Sequence, residues 1–181
     1  MLPDGALLEA REINCWRGDR HILRDVSFGV RAGEFLKLTG PNGVGKTTLI
    51  RIVCGLLPPE NGTVLWRGKR VSSSNDEYHI EMAYLGHLNS LKADLTAREN
   101  LRFLAGLRNT LSDADIDGAL DRVGILSRGD LVARSLSAGQ KRRLALARLL
   151  LSGATLWILD EPVTNLDTAG IELVEELITE H

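Results

Sequence analysis

The sequence predicts an α/β fold: a mainly parallel sheet core behind a phosphate-binding loop, an N-terminal antiparallel β part, and an inserted helical subdomain. Three observations carry that prediction. First, Gly40-Pro41-Asn42-Gly43-Val44-Gly45-Lys46-Thr47-Thr48 fits the G-x-x-x-x-G-K-[ST] loop. Second, the apolar run Leu156-Trp157-Ile158-Leu159 ends in Asp160-Glu161-Pro162, as a buried strand feeding a site at its carboxyl end does. Third, from about residue 89 to 134 the chain changes from strand-like alternation to helical amphipathicity.

The 181 residues suit one domain, or a domain with a subdomain, and we read residues 1–181 as a single domain. Apolar residues make up 44% and charged ones 25%, ordinary for a globular protein. A net charge of −2 argues against a nucleic-acid surface as the main activity. Cys15 and Cys54 lie in apolar contexts without metal-ligand spacing, which predicts buried thiols in a reducing compartment. The N-terminus lacks both a basic segment and a long apolar run, so no secretory signal is evident. The most apolar helical run, residues 144–151, is too short for a membrane span and carries Arg148. Any membrane role must come through a separate partner.

In chain order, residues 7–15 read as a strand, Gly18-Asp19 as a turn and residues 22–30 as a second, antiparallel strand. Residues 34–39 alternate like the strand that leads into a phosphate loop, and residues 48–54 continue as an apolar helix. Pro58-Pro59 is expected to stop that helix. Residues 63–66, Gly68 and Val71 suggest a hairpin, residues 72–77 a polar surface loop, and residues 80–85 a core strand ending at Gly86-His87. Thr96 and Glu99 form a capping box ahead of an apolar stripe of Leu101, Leu104, Ala105 and Leu107. Ser112 opens a second helix with Ile116, Leu120 and Val123 on one face. Residues 138–151 form another helix whose surface is dense with Lys141, Arg142 and Arg143. A last helix, capped near Asp167-Thr168, is expected to bury Ile171, Val174, Leu177 and Ile178.

The chemistry follows from residue types. Gly40, Gly43 and Gly45 let successive backbone N–H groups face one anion. Lys46 can reach the β- and γ-phosphates of a nucleotide, and the Thr47 hydroxyl can ligate Mg²⁺. The helix that follows places its positive dipole end beneath them. Asp160 would hold the Mg²⁺, directly or through a water, and Glu161 would polarise an attacking water. The bland alternative for this pair is a solvated acidic turn after a core strand. Ser137 and the Gly139 amide stand at a helix start, a ready anion site. Alternatively, Ser137 only caps the helix and residues 141–143 form a solvated basic face.

Leu136-Ser137-Ala138-Gly139-Gln140 resembles the signature of the ATP-binding-cassette family, LSGGQ, here with Ala for the first Gly. The resemblance covers nearly the whole chain: phosphate loop, helical insert, signature, Asp160-Glu161, and Asn165-Leu166-Asp167 as the D-loop. It implies a P-loop NTPase of ABC type that binds ATP with Mg²⁺ and acts as an ATPase, with Lys46 and Glu161 catalytic. It further implies a head-to-tail dimer in which Ser137, Gly139, Gln140 and Asp167 serve the ATP held by the opposite subunit. The family's adenine-stacking aromatic falls at Trp16 (or its neighbour Arg17), and Trp16 could instead close the first hairpin.

Two departures are informative. The family generally has Gln at the end of the strand where this chain has His87, a position that contacts Mg²⁺ or its water and links hydrolysis to the membrane subunit. His87, Leu95-Thr96-Ala97-Arg98-Glu99-Asn100-Leu101, LSAGQ and Leu156–Pro162 together resemble one branch: ATP-binding subunits of the cytochrome c maturation export system, long called a haem exporter. That branch implies a peripheral subunit on the cytoplasmic side of a bacterial inner membrane, docked on an integral permease. Second, the family carries a switch histidine on a strand after the final helix, whereas this sequence stops at His181. We therefore expect a truncated chain, with a module that binds ATP without hydrolysing it as the alternative function. A soluble cassette acting on DNA or ribosomes fits poorly, since paired cassettes and long coiled-coil insertions are missing from the sequence.

Overall fold

The computed structural model describes residues 5–105 and 111–181. The chain forms two compact units, Met1–His79 and Ile80–His181.

The first unit is built on a four-stranded antiparallel sheet of β1 (Leu8–Arg17), β2 (Arg20–Val30), β3 (Asn61–Trp66) and β4 (Lys69–Arg70), in the order β2-β1-β3-β4. In β1 the buried residues are Leu8 and Ala10, then Ile13 and Cys15. The alternation changes phase because the register slips between Ala10 and Ile13, where Glu12 takes a φ of 50°. An extra residue in a strand turns every later side chain to the other face, so this bulge keeps both halves of β1 packed inward. β3 and β4 are joined by Arg67 and Gly68, both at positive φ, the backbone of a tight hairpin turn.

Helix α1 (Lys46–Val53) buries Leu49, Ile50, Ile52 and Val53. Its stop differs from the expected Pro58-Pro59. Gly55, at φ 72°, donates to Ile52 O at 3.0 Å, and Leu56 donates to Arg51 O at 2.9 Å. This left-handed Gly cap satisfies the last carbonyls before either proline is reached. Two further expectations are corrected. Residues 34–39 form no strand: they pair with no ladder among the described residues, and Phe35 is 78% exposed. Alternation sets which side a residue would face, but a strand exists only through its hydrogen-bonded neighbours. The polar loop is shorter than expected, because Asp76 opens helix α2 (Asp76–Glu81), which also takes up Ile80 and Glu81. Asn75 accepts from the Tyr78 amide, and the buried Tyr78 hydroxyl donates to Val53 O at 2.7 Å.

The second unit pairs β5 (Met82–Leu85) with β6 (Leu156–Leu159) in parallel, Met82 opposite Leu156 and Leu85 opposite Leu159. Packed with them are α3 (Ala97–Ala105), α4 (Asp113–Arg122), α5 (Ala138–Leu150) and α6 (Thr168–Glu180). One apolar cluster joins Leu85, Leu101, Ile116, Leu120, Val123, Leu144, Leu146, Val174 and Leu177. Both predicted caps in the insert form: Thr96 with Glu99, and Ser112 with Asp115. Leu104, Ala105 and Leu107 lie outside the residues whose side chains are described. The buried Asn100 side chain bonds Lys92 and the carbonyls of Leu95 and Thr96, holding the loop into α3. β6 is less buried than its composition suggests, only Ile158 counting as buried and its neighbours half-buried. In α6 the buried face runs through Leu173, Val174 and Leu177, while Ile171 is exposed and Ile178 half-buried. Cys15 and Cys54 are both buried thiols; burial pushes the Cys15 thiol pKa up, with Glu60 adding to the shift.

Candidate active site

In the first unit the loop from Gly40 to Gly45 leads into α1. Gly45 stands at the N-cap of α1 with φ 106°, and no side chain caps the helix. A Cβ there would lie 2.5 Å from Ile22 Cγ2, so the approach of β2 to the loop requires glycine. Pro41, Asn42, Gly43 and Val44 complete the loop, with Gly40 and Gly43 also at positive φ. Lys46 folds back over it, its Nζ donating to Gly40 O at 2.7 Å and Pro41 O at 3.0 Å. Thr47 and Thr48 follow in the first turn of α1. Loop backbone, helix N-terminus and the Lys46 cation thus stand together, the set of groups that favours an anion. Trp16 stacks face to face on His21, ring centroids 4.2 Å apart, at the turn end of the β1–β2 hairpin, and remains 47% exposed. That is the hairpin-closing arrangement, with part of the indole accessible.

In the second unit, β6 delivers Asp160 and Glu161. The Asp160 amide continues the parallel ladder by donating to Leu85 O at 2.8 Å, and its side chain is buried. Glu161 leaves the ladder with a left-handed φ of 51°. Such a backbone costs about 1–2 kcal/mol in a residue with a Cβ, so surrounding structure must hold it. It turns the carboxylate outward, where Oε2 lies 3.3 Å from Nδ1 of His87, just past the end of β5. With Nδ1 protonated, His87 donates to Glu161. Both side chains are more than half exposed, so the pair can exchange this bond for a ligand or water.

The support beneath them is Arg142, which the sequence reading put on a basic surface. It is 2% exposed. Its guanidinium donates to the carbonyls of Gly86, Asp160, Glu161 and Pro162 and to Asn89 Oδ1, at 2.7 to 3.2 Å. Burial pushes its pKa down, while Asp160, Glu161 and Tyr84 pull it back up. A signal for this existed: positions 142, 145, 146 and 149 share one helical face, and Ala145, Leu146 and Leu149 are all buried.

At the start of α5, Ser137 and Gln140 form a reciprocal capping box, Ser137 Oγ accepting from the Gln140 amide and Gln140 Oε1 from the Ser137 amide. A Cβ on Gly139 would lie 2.9 Å from Asn165 O, so the signature turn and the loop before α6 are in close approach. Asp167 caps α6, Oδ1 accepting from the Gly170 amide at 2.9 Å and from Arg143 Nη2 at 3.0 Å. These bonds, the Gly170 amide first, hold its carboxyl below the usual aspartate range. Arg143 is a second residue the sequence reading left on a solvated face.

Among the described residues, no group of three or more His, Cys, Asp and Glu could enclose a metal. Taken singly, the Thr47 hydroxyl of the first unit and the Asp160 carboxylate of the second are each hard oxygen donors, the type Mg²⁺ takes beside waters and phosphate oxygens. No helix among the described residues is long and apolar enough to cross a membrane.

The ABC transporter family profile matches residues 23–164. The cytochrome c biogenesis ATP-binding export protein CcmA of Dechloromonas aromatica (strain RCB) is 45% identical over 176 residues, 97% of this chain and 86% of that protein. The CcmA protein of Nitrosococcus oceani is 48% identical over 165 residues, 91% of this chain and 76% of that protein. Among solved structures, the ATP binding subunit of an ABC transporter superposes with a TM-score of 0.85 at 30% identity, covering 96% of this chain and 74% of that one. CbiO1 from Clostridium perfringens, part of the ABC transporter complex cbiONQ, superposes with a TM-score of 0.80 at 28% identity, covering 98% of this chain and 74% of that one. Profile, relatives and fold agree: the chain belongs to the ABC transporter family, as an ATP-binding subunit resembling CcmA.

Proposed function

We propose that this chain is the ATP-hydrolysing subunit of an export complex for cytochrome c-type biogenesis, the haem export system. The observation that carries the hydrolytic reading is the end of β6: a buried Asp160 followed by an outward Glu161. Gly40, Pro41, Asn42, Gly43, Val44, Gly45, Lys46, Thr47 and Thr48 cradle the phosphates of ATP. Thr47 and Asp160 supply oxygens to Mg²⁺, which when bound neutralises charge developing on the phosphates. Glu161 orients the attacking water, and His87 takes the place that links hydrolysis to the membrane subunit. Trp16 serves the adenine.

On this reading residues 1–181 act as one nucleotide-binding domain, with a helical subdomain at about 89–134. Two copies sandwich two ATP molecules head to tail, Ser137, Gly139, Gln140 and Asp167 of one facing the nucleotide of the other. The dimer docks on an integral permease at the cytoplasmic face of the bacterial inner membrane, as a peripheral translocase subunit. The identity to CcmA proteins favours this over a module that binds ATP without turnover.

The test is ATP binding beside ATP turnover for the chain and for Glu161→Gln and Lys46→Ala. We expect Lys46→Ala to lose ATP affinity at least tenfold and Glu161→Gln to keep binding while turnover falls by 10²-fold or more, the scale of a lost general base. Binding with no turnover in the unaltered chain would refute hydrolysis; unchanged affinity in Lys46→Ala would refute the nucleotide site.

A further inference from the structure

We propose that Arg142 is a positioning residue for hydrolysis, which ties the ends of β5 and β6 together so that His87 meets Glu161. The proposal rests on the ATPase reading for its kinetic arm only.

A guanidinium has five N–H donors in a rigid fork. Each of the five has an acceptor: Nε–H bonds Pro162 O at 2.9 Å, Nη1 bonds Gly86 O at 2.8 Å and Asn89 Oδ1 at 3.2 Å, and Nη2 bonds Asp160 O at 3.1 Å and Glu161 O at 2.7 Å. Three of the acceptors are consecutive carbonyls, and they converge because Glu161 has a left-handed backbone. The fourth carbonyl belongs to the residue before His87. One buried cation thus grips the backbone on both sides of the His87–Glu161 contact while touching neither side chain. Its direct partners are four carbonyl dipoles and the Asn89 amide oxygen, while the Asp160 and Glu161 carboxylates favour the charge through their fields.

The geometry answers two questions left open by the pair itself. Glu161 carries strained backbone, and four hydrogen bonds to the carbonyls around it supply what keeps it there. His87 and Glu161 are 74 residues apart and both exposed, so their own 3.3 Å contact is too weak to fix their spacing. Arg142 fixes it from below. Lysine cannot replace it, since a point cation with three donors on one nitrogen cannot span five acceptors in a fork.

The experiment uses Arg142→Lys, with Asn89→Ala as a milder second variant that removes one of the five acceptors. Both are compared with His87→Ala, Glu161→Gln and the doubles. In the kinetic arm, Arg142→Lys should retain ATP affinity within about threefold while kcat falls tenfold or more. The loss should not add to that of His87→Ala, because residues acting through one another are non-additive. Asn89→Ala should move kcat in the same direction by two- to fivefold, with the denaturation midpoint near that of the unaltered chain. The second arm needs no hydrolysis: the ring resonances of His87, followed by NMR in the nucleotide-free chain, should shift on Glu161→Gln. Arg142→Lys should shift them too, with no further change in the double. An unaltered kcat in folded Arg142→Lys, a loss fully additive with His87→Ala, or His87 resonances indifferent to Arg142→Lys would each overturn the proposal. Should Arg142→Lys not fold, Asn89→Ala carries both arms. A chain that binds ATP without turnover defeats the ATPase reading alone, and the NMR arm still decides the positioning role.

Discussion

Gly45→Ala tests the account of the phosphate loop most directly, because two separate costs can be worked out for one methyl group. The backbone at Gly45 has φ 106° and ψ 8°. A Cβ in left-handed backbone costs about 1–2 kcal/mol. The same Cβ would meet Ile22 Cγ2 at 2.5 Å and Leu23 Cδ2 at 3.1 Å. The nearest atom is on a β-branched, stiff side chain, so relief needs a backbone shift, and overpacking of this kind costs about 1–3 kcal/mol. Together the substitution should cost about 2–5 kcal/mol. For a chain of this size that lowers the thermal midpoint by about 4–20 °C, at about 2–4 °C per kcal/mol. The two terms separate in a double-mutant cycle read by urea denaturation. Ile22→Ala removes the clashing methyl, so Gly45→Ala should cost about 1–3 kcal/mol less in that background, leaving the backbone term. A cost under about 1 kcal/mol, or no coupling to Ile22→Ala, would refute the claim that β2 forces glycine on the loop.

Other outcomes follow from single contacts. Ser112→Ala removes a reciprocal cap from α4 and should cost about 1 kcal/mol by urea denaturation, with helical content otherwise retained. Tyr78→Phe leaves the Val53 carbonyl without its buried donor and should cost about 1–3 kcal/mol by the same measurement. Asp167 has a folded pKa held below the usual aspartate value, so its contribution to stability is present above that ordinary value, near pH 4 (about), and is lost as pH falls through the depressed folded pKa. The acid limb of a stability-versus-pH curve should therefore flatten in Asp167→Asn, and Arg143→Ala should flatten it less, because the Gly170 amide is the larger cause. An unchanged acid limb in Asp167→Asn would refute this assignment.

What could be read from the residues alone was what short-range physics decides. Ser112, Thr96 and Ser137 cap helices because the hydroxyl and the carboxylate or amide oxygen three residues later each accept from one nearby backbone amide. The β1–β2 hairpin was equally legible. Residues 34–39 were misread because alternation describes a face, while pairing depends on a neighbour elsewhere in the chain. Arg142 was misread for a related reason. Charge between Lys141 and Arg143 suggested solvent, yet the helical phase pointed inward, and a cation can follow that phase only where carbonyls converge to receive it. That convergence is made by the parallel register. Leu85 opposite Leu159 brings the residues after both strands, Gly86-His87 and Asp160-Glu161, to one edge. A slip of one residue would turn every side chain of one strand to the other face, and His87 would then leave Glu161. The substitution of His for Gln was visible as a letter; its chemistry is carried by that register and by the arginine that locks it.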